Sequence, residues 1–307
     1  MNPIYDGPQL HVAITGATGL IGAALSAFLR DAGHQVTAIS RRAPAPGRVQ
    51  WDPAAGQMDS TALRDVDAVV HLAGETIAGG RWSRARKHRI RESRIQGTSL
   101  IARIAGGLDP KPRVLVSISA VGFYGDRGDE ILTEASAGGA GFLADVVREW
   151  ETAAEPARAA GIRVVHPRLA AIASRRGGLL ERLYLPFSLG LGGPVAGGSQ
   201  WMPIVALEDA VAAIMHAIAS DDLSGPVNVS LPEPVTNREF SRTLGRLLRR
   251  PAILPLPAFP LRLVYGQLAD ELLLASARVV PARLASRGFR FRHPTVESTL
   301  RAALDAK

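Results

Sequence analysis

Apolar positions along the chain recur in two rhythms. His11–Thr15 is a short apolar run that ends in a glycine turn, and Ile21, Leu25, Phe28 and Leu29 then follow at helical spacing. Gly33-His34 is a helix stop and Gln35–Ser40 reads as a second strand, which together make a βαβ unit. The alternation continues with a short strand at 48–51, a buried strand at 68–72 and a helix through 93–105. A strand at 113–119, a helix from about 143 to 160 and a strand at 163–168 complete the series. Strands alternating with helices of this length predict an α/β architecture, a doubly wound parallel sheet covered on both faces.

After Arg168 the pattern changes. Residues 183–207 carry no charge and are interrupted by three Pro and five Gly, so they read as a loop, one that resembles a mobile lid over a pocket. An apolar helix at 208–219, a short strand at 226–230, a helix at Asn237–Leu248 and a proline-rich crossing at 251–260 follow. Helical segments then run to residue 307. The expected organisation is a nucleotide-binding domain over 1–172, completed by 205–230, and a smaller substrate lobe over 173–307 that includes 228–307.

Composition narrows the chemistry. The chain has 307 residues, 47% of them hydrophobic, and no Cys, which removes disulfides, thiolate metal sites and a cysteine nucleophile. No His/Asp/Glu spacing resembles a metal site. The N-terminal residues lack a basic start followed by an apolar run, and no segment is long and apolar enough for a membrane span. A cytoplasmic protein is therefore expected, with no membrane partner. The 36 basic residues are 33 Arg and only three Lys, at positions 87, 111 and 307. Because the arginines are spread along the chain, the net charge of +8 reads as solvated surface rather than a binding stripe. Residues 81–94 do pack eight basic residues, counting His88, against one acid, Glu92. Only Trp82 interleaves them, so a nucleic-acid partner is not expected.

The glycine turn carries the strongest signal. Thr15-Gly16-Ala17-Thr18-Gly19-Leu20-Ile21-Gly22 stands directly between strand and helix. Gly16 permits the tight turn, Gly19 lets backbone approach a pyrophosphate, and Gly22 lets helix pack on strand, while the helix N-terminus faces the anion. A dinucleotide site follows, and with it a Rossmann-like fold. The second strand ends in Ser40-Arg41-Arg42 with no acid to take ribose hydroxyls. Guanidinium groups there suit a 2′-phosphate, so NADP(H) is the expected cofactor; the alternative is two more surface arginines.

At this point the chain resembles an extended short-chain dehydrogenase/reductase of the NAD-dependent epimerase/dehydratase superfamily, and within it the atypical "epimerase family" branch. The motifs span nearly the whole chain: His71-Leu-Ala-Gly-Glu75, Arg81-Trp82, Ser93-Arg-Ile-Gln-Gly-Thr98, Ser119-Ala-Val-Gly-Phe-Tyr-Gly125, Pro186-Phe-Ser-Leu-Gly-Leu-Gly-Gly193, Gln200-Trp201, Arg250-Pro251 and Gly288-Phe289. The resemblance implies that Gly16, Gly19, Leu20 and Ile21 hold the pyrophosphate and Ser40 and Arg41 the 2′-phosphate. It implies that Leu72, Ala73 and Gly74 line the cofactor with Glu75 nearby, and that Ile172 packs near the nicotinamide. Arg94 stands where relatives have the Asn of Asn-x-x-Gly-Thr, within reach of the diphosphate or the nicotinamide side; Arg89, about a turn earlier, is a weaker candidate.

Active members of that superfamily use Tyr-x-x-x-Lys, in which Lys lowers the Tyr pKa. The tyrosines here are Tyr5, Tyr124, Tyr184 and Tyr265, and four residues beyond them stand Gln9, Gly128, Ser188 and Ala269. In the expected helix the two positions are Leu143 and Val147. The pair is absent. Ser119, as a group that hydrogen-bonds a substrate carbonyl, and Tyr124, as proton donor, are the remaining catalytic candidates; strand capping and packing are the equally open alternatives. Arg168 either grips an anionic substrate or forms a structural ion pair. Trp82, Phe187 and Trp201 either wall an apolar substrate pocket or pack beneath the loop. His166 reads as a satisfied core histidine. Two functions compete: an NADP(H)-dependent oxidoreductase acting on an unidentified small molecule, and a non-catalytic NADP(H)-binding redox sensor or partner-binding module. The oligomeric state is open.

Overall fold

The computed structural model describes residues 7–305; Tyr5 and Lys307 lie outside the described residues. The first half alternates as expected, through β1 (His11–Thr15), α1 (Leu20–Asp31), β2 (Gln35–Ser40), β3 (Arg48–Asp52), β4 (Gln57–Met58), β5 (Ala68–His71) and α2 (Arg84–Gly106). It continues through β6 (Val114–Ser117), β7 (Ser119–Ala120), β8 (Ile131–Leu132), α3 (Phe142–Thr152), α4 (Glu155–Ala159) and β9 (Arg163–Leu169). The second half holds β10 (Ala171–Ala173), α5 (Leu179–Ser188), β11 (Ile204–Ala206), α6 (Leu207–Ala219), β12 (Gly225–Val229) and α7 (Asn237–Leu248). It ends with α8 (Ala258–Tyr265), β13 (Arg278–Val279), α9 (Ala282–Ser286) and α10 (Val296–Asp305).

The main sheet runs β12-β9-β6-β5-β1-β2-β3-β4, parallel except for the β3–β4 edge. The chain leaves β1 toward β2 and then returns to β5 on the other side, so the topological switch point lies between β1 and β5, at the carboxyl ends of those strands. Ligands bind at such crevices. Strand alternation splits the interior in two. Ile14, Val70, Val116 and Val165 pack on one face with Leu25 and Leu29 of α1 and Ile214 of α6. Ala13, Val69, Leu115 and Val164 pack on the other with Leu100, Ile101 and Ala105 of α2 and Ala154 and Ala157 beside α4. Removing a Val, Leu or Ile side chain from water in this way contributes roughly 1.5–3 kcal/mol.

Four elements differ from the pattern-based reading. Helix α2 starts at Arg84, nine residues before the expected 93, because Ser83 caps it by accepting a hydrogen bond from the Arg86 amide. Its first two turns are arginine-rich and carry little apolar period, which hides them in the sequence. The expected 143–160 helix is two helices, α3 and α4, with Pro156 in the first turn of the second. The uncharged 183–207 loop begins inside α5, whose Leu180 and Phe187 are buried. Pro186 is tolerated there in the last turn. The proline-rich crossing ends in α8, which starts at Ala258.

The second half builds its own small core from Leu180, Phe187, Phe240, Leu244, Leu300 and Ala303. It also reaches over the first half: Leu268 and Leu273 pack on Trp82, Ile90, Phe142 and Leu143 at the start of α2 and α3. Strand β13 pairs with β8, which ties the two halves beside the carboxyl ends of the sheet. Among the described residues no helix is long and apolar enough to cross a membrane.

Candidate functional site

The glycine turn between β1 and α1 is built for close approach. Gly16 has φ +68°, and a Cβ there would lie 3.0 Å from Ala73 N and Leu72 C. A Cβ on Gly22 would come 2.2 Å from the Gly16 carbonyl oxygen, so no side chain fits between turn and helix. Gly19 is the N-cap of α1 and supplies no capping side chain, and the first turn carries no acid. The first amides of α1, at Leu20, Ile21 and Gly22, are therefore free donors at the positive end of a twelve-residue helix, with Thr18 and Gly19 exposed beside them.

A polar knot missed by the sequence reading fixes this turn. The Thr15 hydroxyl oxygen accepts from the amides of Leu72 (3.0 Å) and Ala73 (3.2 Å), so its hydrogen goes to His71 Nδ1 at 2.8 Å. His71 consequently carries its hydrogen on Nε2. Burial and the nearby Arg94 charge push its pKa down to about 3, so it stays neutral. The residues after β5 are thereby pinned against the glycine turn. The only signal in the sequence was a polar residue ending each of two neighbouring apolar strands.

Around the crevice, Ser40 ends β2 and its hydroxyl accepts from the Arg42 amide, while Arg41 and Arg42 are both exposed. Leu72 and Ala73 are half-buried and Gly74 is exposed. Arg94 lies directly behind that glycine: a Cβ on Gly74 would be 3.5 Å from its guanidinium carbon. Arg94 is buried, donates to the carbonyls of Ile90 (3.0 Å) and Glu75 (3.1 Å), and stacks 4.9 Å from the Trp150 ring. Burial pushes its pKa down to about 10, against the opposing pull of the Glu75 charge, which leaves it cationic at neutral pH. The Glu75 amide donates to the Ser93 hydroxyl. Arg89 is solvent-exposed, and Ile172 sits on β10 opposite Val205, half-buried against the first core.

Ser119, Tyr124 and Arg168 do come together, but as one closed network. Arg168 makes a double hydrogen bond to Glu151, Nε to Oε1 and Nη2 to Oε2, both at 2.8 Å. Its third arm donates to the Tyr124 hydroxyl at 3.1 Å, and its plane lies 3.5 Å from the Phe123 ring centre. Ser119 Oγ donates to Glu151 Oε1 at 2.6 Å. Burial alone would raise the Glu151 carboxyl, but the Arg168 hydrogen bonds and charge, with the Ser119 hydroxyl, hold it below the usual carboxylate range. Glu151 escaped the sequence reading, yet it stands on the α3 face of Leu143 and Val147, one turn beyond the latter.

For several candidates the structure shows the packing or ion-pair alternative. Tyr124 is fully buried; its hydroxyl faces Asn228 Oδ1 at 2.7 Å and the Thr133 carbonyl at 2.9 Å, turned into the interior, and burial pushes its pKa up. Arg168 is a structural ion pair partner rather than an open anion grip. Phe187 belongs to the core of the second half, where Gly192 abuts its ring. Trp201 donates from its indole to Asp129 at 2.8 Å and carries Arg278 over its face at 4.4 Å. Trp82 is buried edge-to-face on Phe142 and donates to the Ile77 carbonyl, under the roof formed by Leu268. His166 lies in the core as expected but is only half satisfied: Nδ1 donates to the Ser117 carbonyl at 3.2 Å, Nε2 has no partner, and burial keeps the ring neutral.

A Rossmann-type sheet with a glycine turn at its switch point defines a dinucleotide-binding α/β protein. The chain belongs to the NAD dependent epimerase/dehydratase family, whose model matches residues 12–230. A domain of unknown function, DUF1731, matches residues 256–303. The epimerase family protein Mb2239 of Mycobacterium bovis is 46% identical over 290 residues, covering 94% of this chain and 96% of that protein. Human epimerase family protein SDR39U1 is 34% identical over 297 residues, covering 95% and 99%. A crystal structure of human SDR39U1 (isoform 2) with NADPH superposes with a TM-score of 0.88 at 32% identity, covering 97% of this chain and all of that one.

Proposed function

We propose that this chain is an NADP(H)-dependent oxidoreductase acting on a small molecule, built on the extended short-chain dehydrogenase/reductase plan without its Tyr–Lys pair. The observation that carries the reading is the charge pattern at the β1–β5 crevice: uncapped amides at the start of α1, two exposed arginines ending β2, and the buried Arg94 cation behind Gly74. These residues fit a dinucleotide with an extra phosphate, and the NADPH complex of human SDR39U1 supports that choice. In this reading the amides of Leu20 to Gly22 bind the pyrophosphate, Ser40, Arg41 and Arg42 the 2′-phosphate, and Leu72 to Glu75 line the path between. Arg94 balances phosphate charge from behind Gly74. NADPH, when bound, supplies the hydride.

The chain's own part is to hold the substrate oxygen and pass it a proton. In this reading Ser119, buried at the carboxyl edge of the sheet, takes that role, with its orientation fixed by the Glu151–Arg168 pair. Tyr124 serves as a strut between β12, the 133 carbonyl and Arg168. Calorimetry is expected to show tighter binding of NADPH than NADH, followed by NADPH oxidation with members of a carbonyl and enone panel. Equal affinity for the two cofactors would sink the assignment.

A second reading is favoured by the same network. Tyr124 is sealed, and the Ser119 hydrogen is already engaged by Glu151. Tight NADPH binding with no oxidation across the panel would assign the chain as a non-catalytic NADP(H) sensor or partner-binding module.

A further inference from the structure

On the sheet face covered by α2 and α4, the apolar layer of Ala13, Val69, Leu115 and Val164 turns polar two residues further along every strand. Thr15, His71, Ser117 and His166 stand side by side there, one each on β1, β5, β6 and β9, and none is more than 2% exposed. Thr15 pairs with His71 in register, His71 with Ser117, and Ser117 lies beyond the Val116–Val165 pair, next to His166. Neighbouring strands are about 4.8 Å apart, so the side chains form a continuous row. Ser119 and Arg168 pair one level further on, toward the carboxyl ends of the strands.

The row is only partly satisfied by protein groups. His71 Nε2, Ser117 Oγ and His166 Nε2 have no hydrogen-bond partner, nor do Thr98 Oγ1 on α2 and Trp150 Nε1 on α3. Nine such buried atoms occur among the described residues; three of them stand in this row, and Thr98 follows Gly97, which abuts the His71 ring. Gly97 of α2, the residue before Thr98, stands against the imidazole: a Cβ there would lie 3.3 Å from His71 Cε1 and 3.5 Å from Nε2.

The five groups are chemically complementary. His71 Nε2 and Trp150 Nε1 are donors, the first because Thr15 donates to Nδ1. His166 gives its Nδ1 hydrogen to the Ser117 carbonyl, so its Nε2 is a bare acceptor. The Ser117 and Thr98 hydroxyls do both. Each of these groups left dry carries a desolvation penalty, whereas a water with two to four polar partners removes it.

We propose that a file of internal water molecules lies between this sheet face and helices α2 and α3, running from His71 past Ser117 and His166 to the Ser119–Glu151 pair. Its role rests on the reductase reading above. Glu151, held ionised by Arg168, has no proton to return to Ser119 at neutral pH. As the substrate carbonyl carbon takes hydride from NADPH, leaving NADP⁺, its oxygen takes the Ser119 proton. The file returns a proton to Ser119 Oγ and draws one from solvent. This gives the crevice a proton route that needs no Tyr–Lys pair.

Water occupancy is tested without turnover. Oxygen-17 magnetic relaxation dispersion on the full chain is expected to detect long-lived internal water, with fewer such molecules in Thr98→Val. Thr98→Val keeps the side-chain shape and removes the hydroxyl. A wet layer predicts a melting temperature lowered by a few degrees with the NADPH Kd unchanged. A dry layer predicts an unchanged or raised one, because an unsatisfied group is removed. No long-lived internal water in the parent, or a Thr98→Val variant as stable as the parent, would overturn the file. Its role is read from Ser117→Ala, expected to slow NADPH oxidation more than tenfold and to raise the solvent deuterium isotope effect. An unchanged rate would overturn the relay. Long-lived water in a parent that oxidises no substrate would overturn the reductase reading and the proton role together, leaving the hydrated site standing.

Discussion

Replacing Arg168 by Met tests whether the network at the strand ends is a buried ion pair in the energetic sense. The Arg168 side chain is 4% exposed and that of Glu151 15%, so the substitution strands a carboxylate that water barely reaches. Breaking a buried pair from one side costs about 3–5 kcal/mol, which for a chain of this size is a fall in melting temperature of roughly 10 °C. The pH dependence sharpens the test. In the parent the Glu151 carboxyl sits below its ordinary value, so its pairing contributes stability above the unfolded-state pKa and loses it as pH falls through the folded-state pKa. In Arg168→Met burial acts alone and pushes that carboxyl up. The variant then binds a proton more readily folded than unfolded and recovers relative to the parent as pH falls from about 7.5 to 5. Urea unfolding at both pH values measures the gap. Glu151→Gln is the control: it leaves the guanidinium unpaired and shows no such recovery, because Arg stays charged. The double variant Arg168→Met, Glu151→Leu is expected to regain most of the loss. A cost for Arg168→Met below about 1 kcal/mol, or a gap equal at both pH values, would refute the reasoning.

Other outcomes bear on the crevice and on the reaction. Arg41→Ala is expected to erase most of the NADPH preference over NADH, on the order of 1–3 kcal/mol by calorimetry, while NADH binding stays as it was. Gly22→Ala places a methyl 2.2 Å from the Gly16 oxygen, so turn and helix must separate. It should weaken NADPH binding more than tenfold and cost roughly 1–3 kcal/mol of stability; parent-like binding would show that the turn yields easily. Tyr124→Phe leaves Arg168 and Asn228 short of a partner and should cost about 1–3 kcal/mol, with NADPH oxidation altered only a few-fold. A hundredfold loss would restore Tyr124 as the proton donor. Interconversion of UDP-glucose and UDP-galactose, followed by chromatography, should be undetectable, since Leu143 and Val147 stand where the Tyr–Lys pair belongs.

Much of the frame was legible because it depends on local rules. The period-two and period-3.6 runs from His11 to Arg168 lie in the sheet and its covering helices, and the glycine spacing reports a steric demand that the Gly16 and Gly22 contacts make explicit. Helix α2 lost its first two turns in the sequence because arginines replace the apolar stripe there. Helix α5 was hidden by Pro186 and the glycines after it, although Leu180 and Phe187 hold the spacing of one buried face.

The sequence by itself determined the α/β alternation, the dinucleotide turn, the arginines ending β2 and the loss of the Tyr–Lys pair, since each is a matter of residue type at short spacing. Only the tertiary structure decided what Ser119, Tyr124 and Arg168 do. Their partner Glu151 is 32 residues from Ser119 and 17 from Arg168, and Asn228 is 104 from Tyr124. The parallel order of β5, β6, β9 and β12 sets these groups side by side. A hydroxyl facing a substrate and one turned into a buried ion-pair network have the same local sequence. The difference lies in which strand stands next to it, and that is fixed by crossovers whose ends are far apart in the chain.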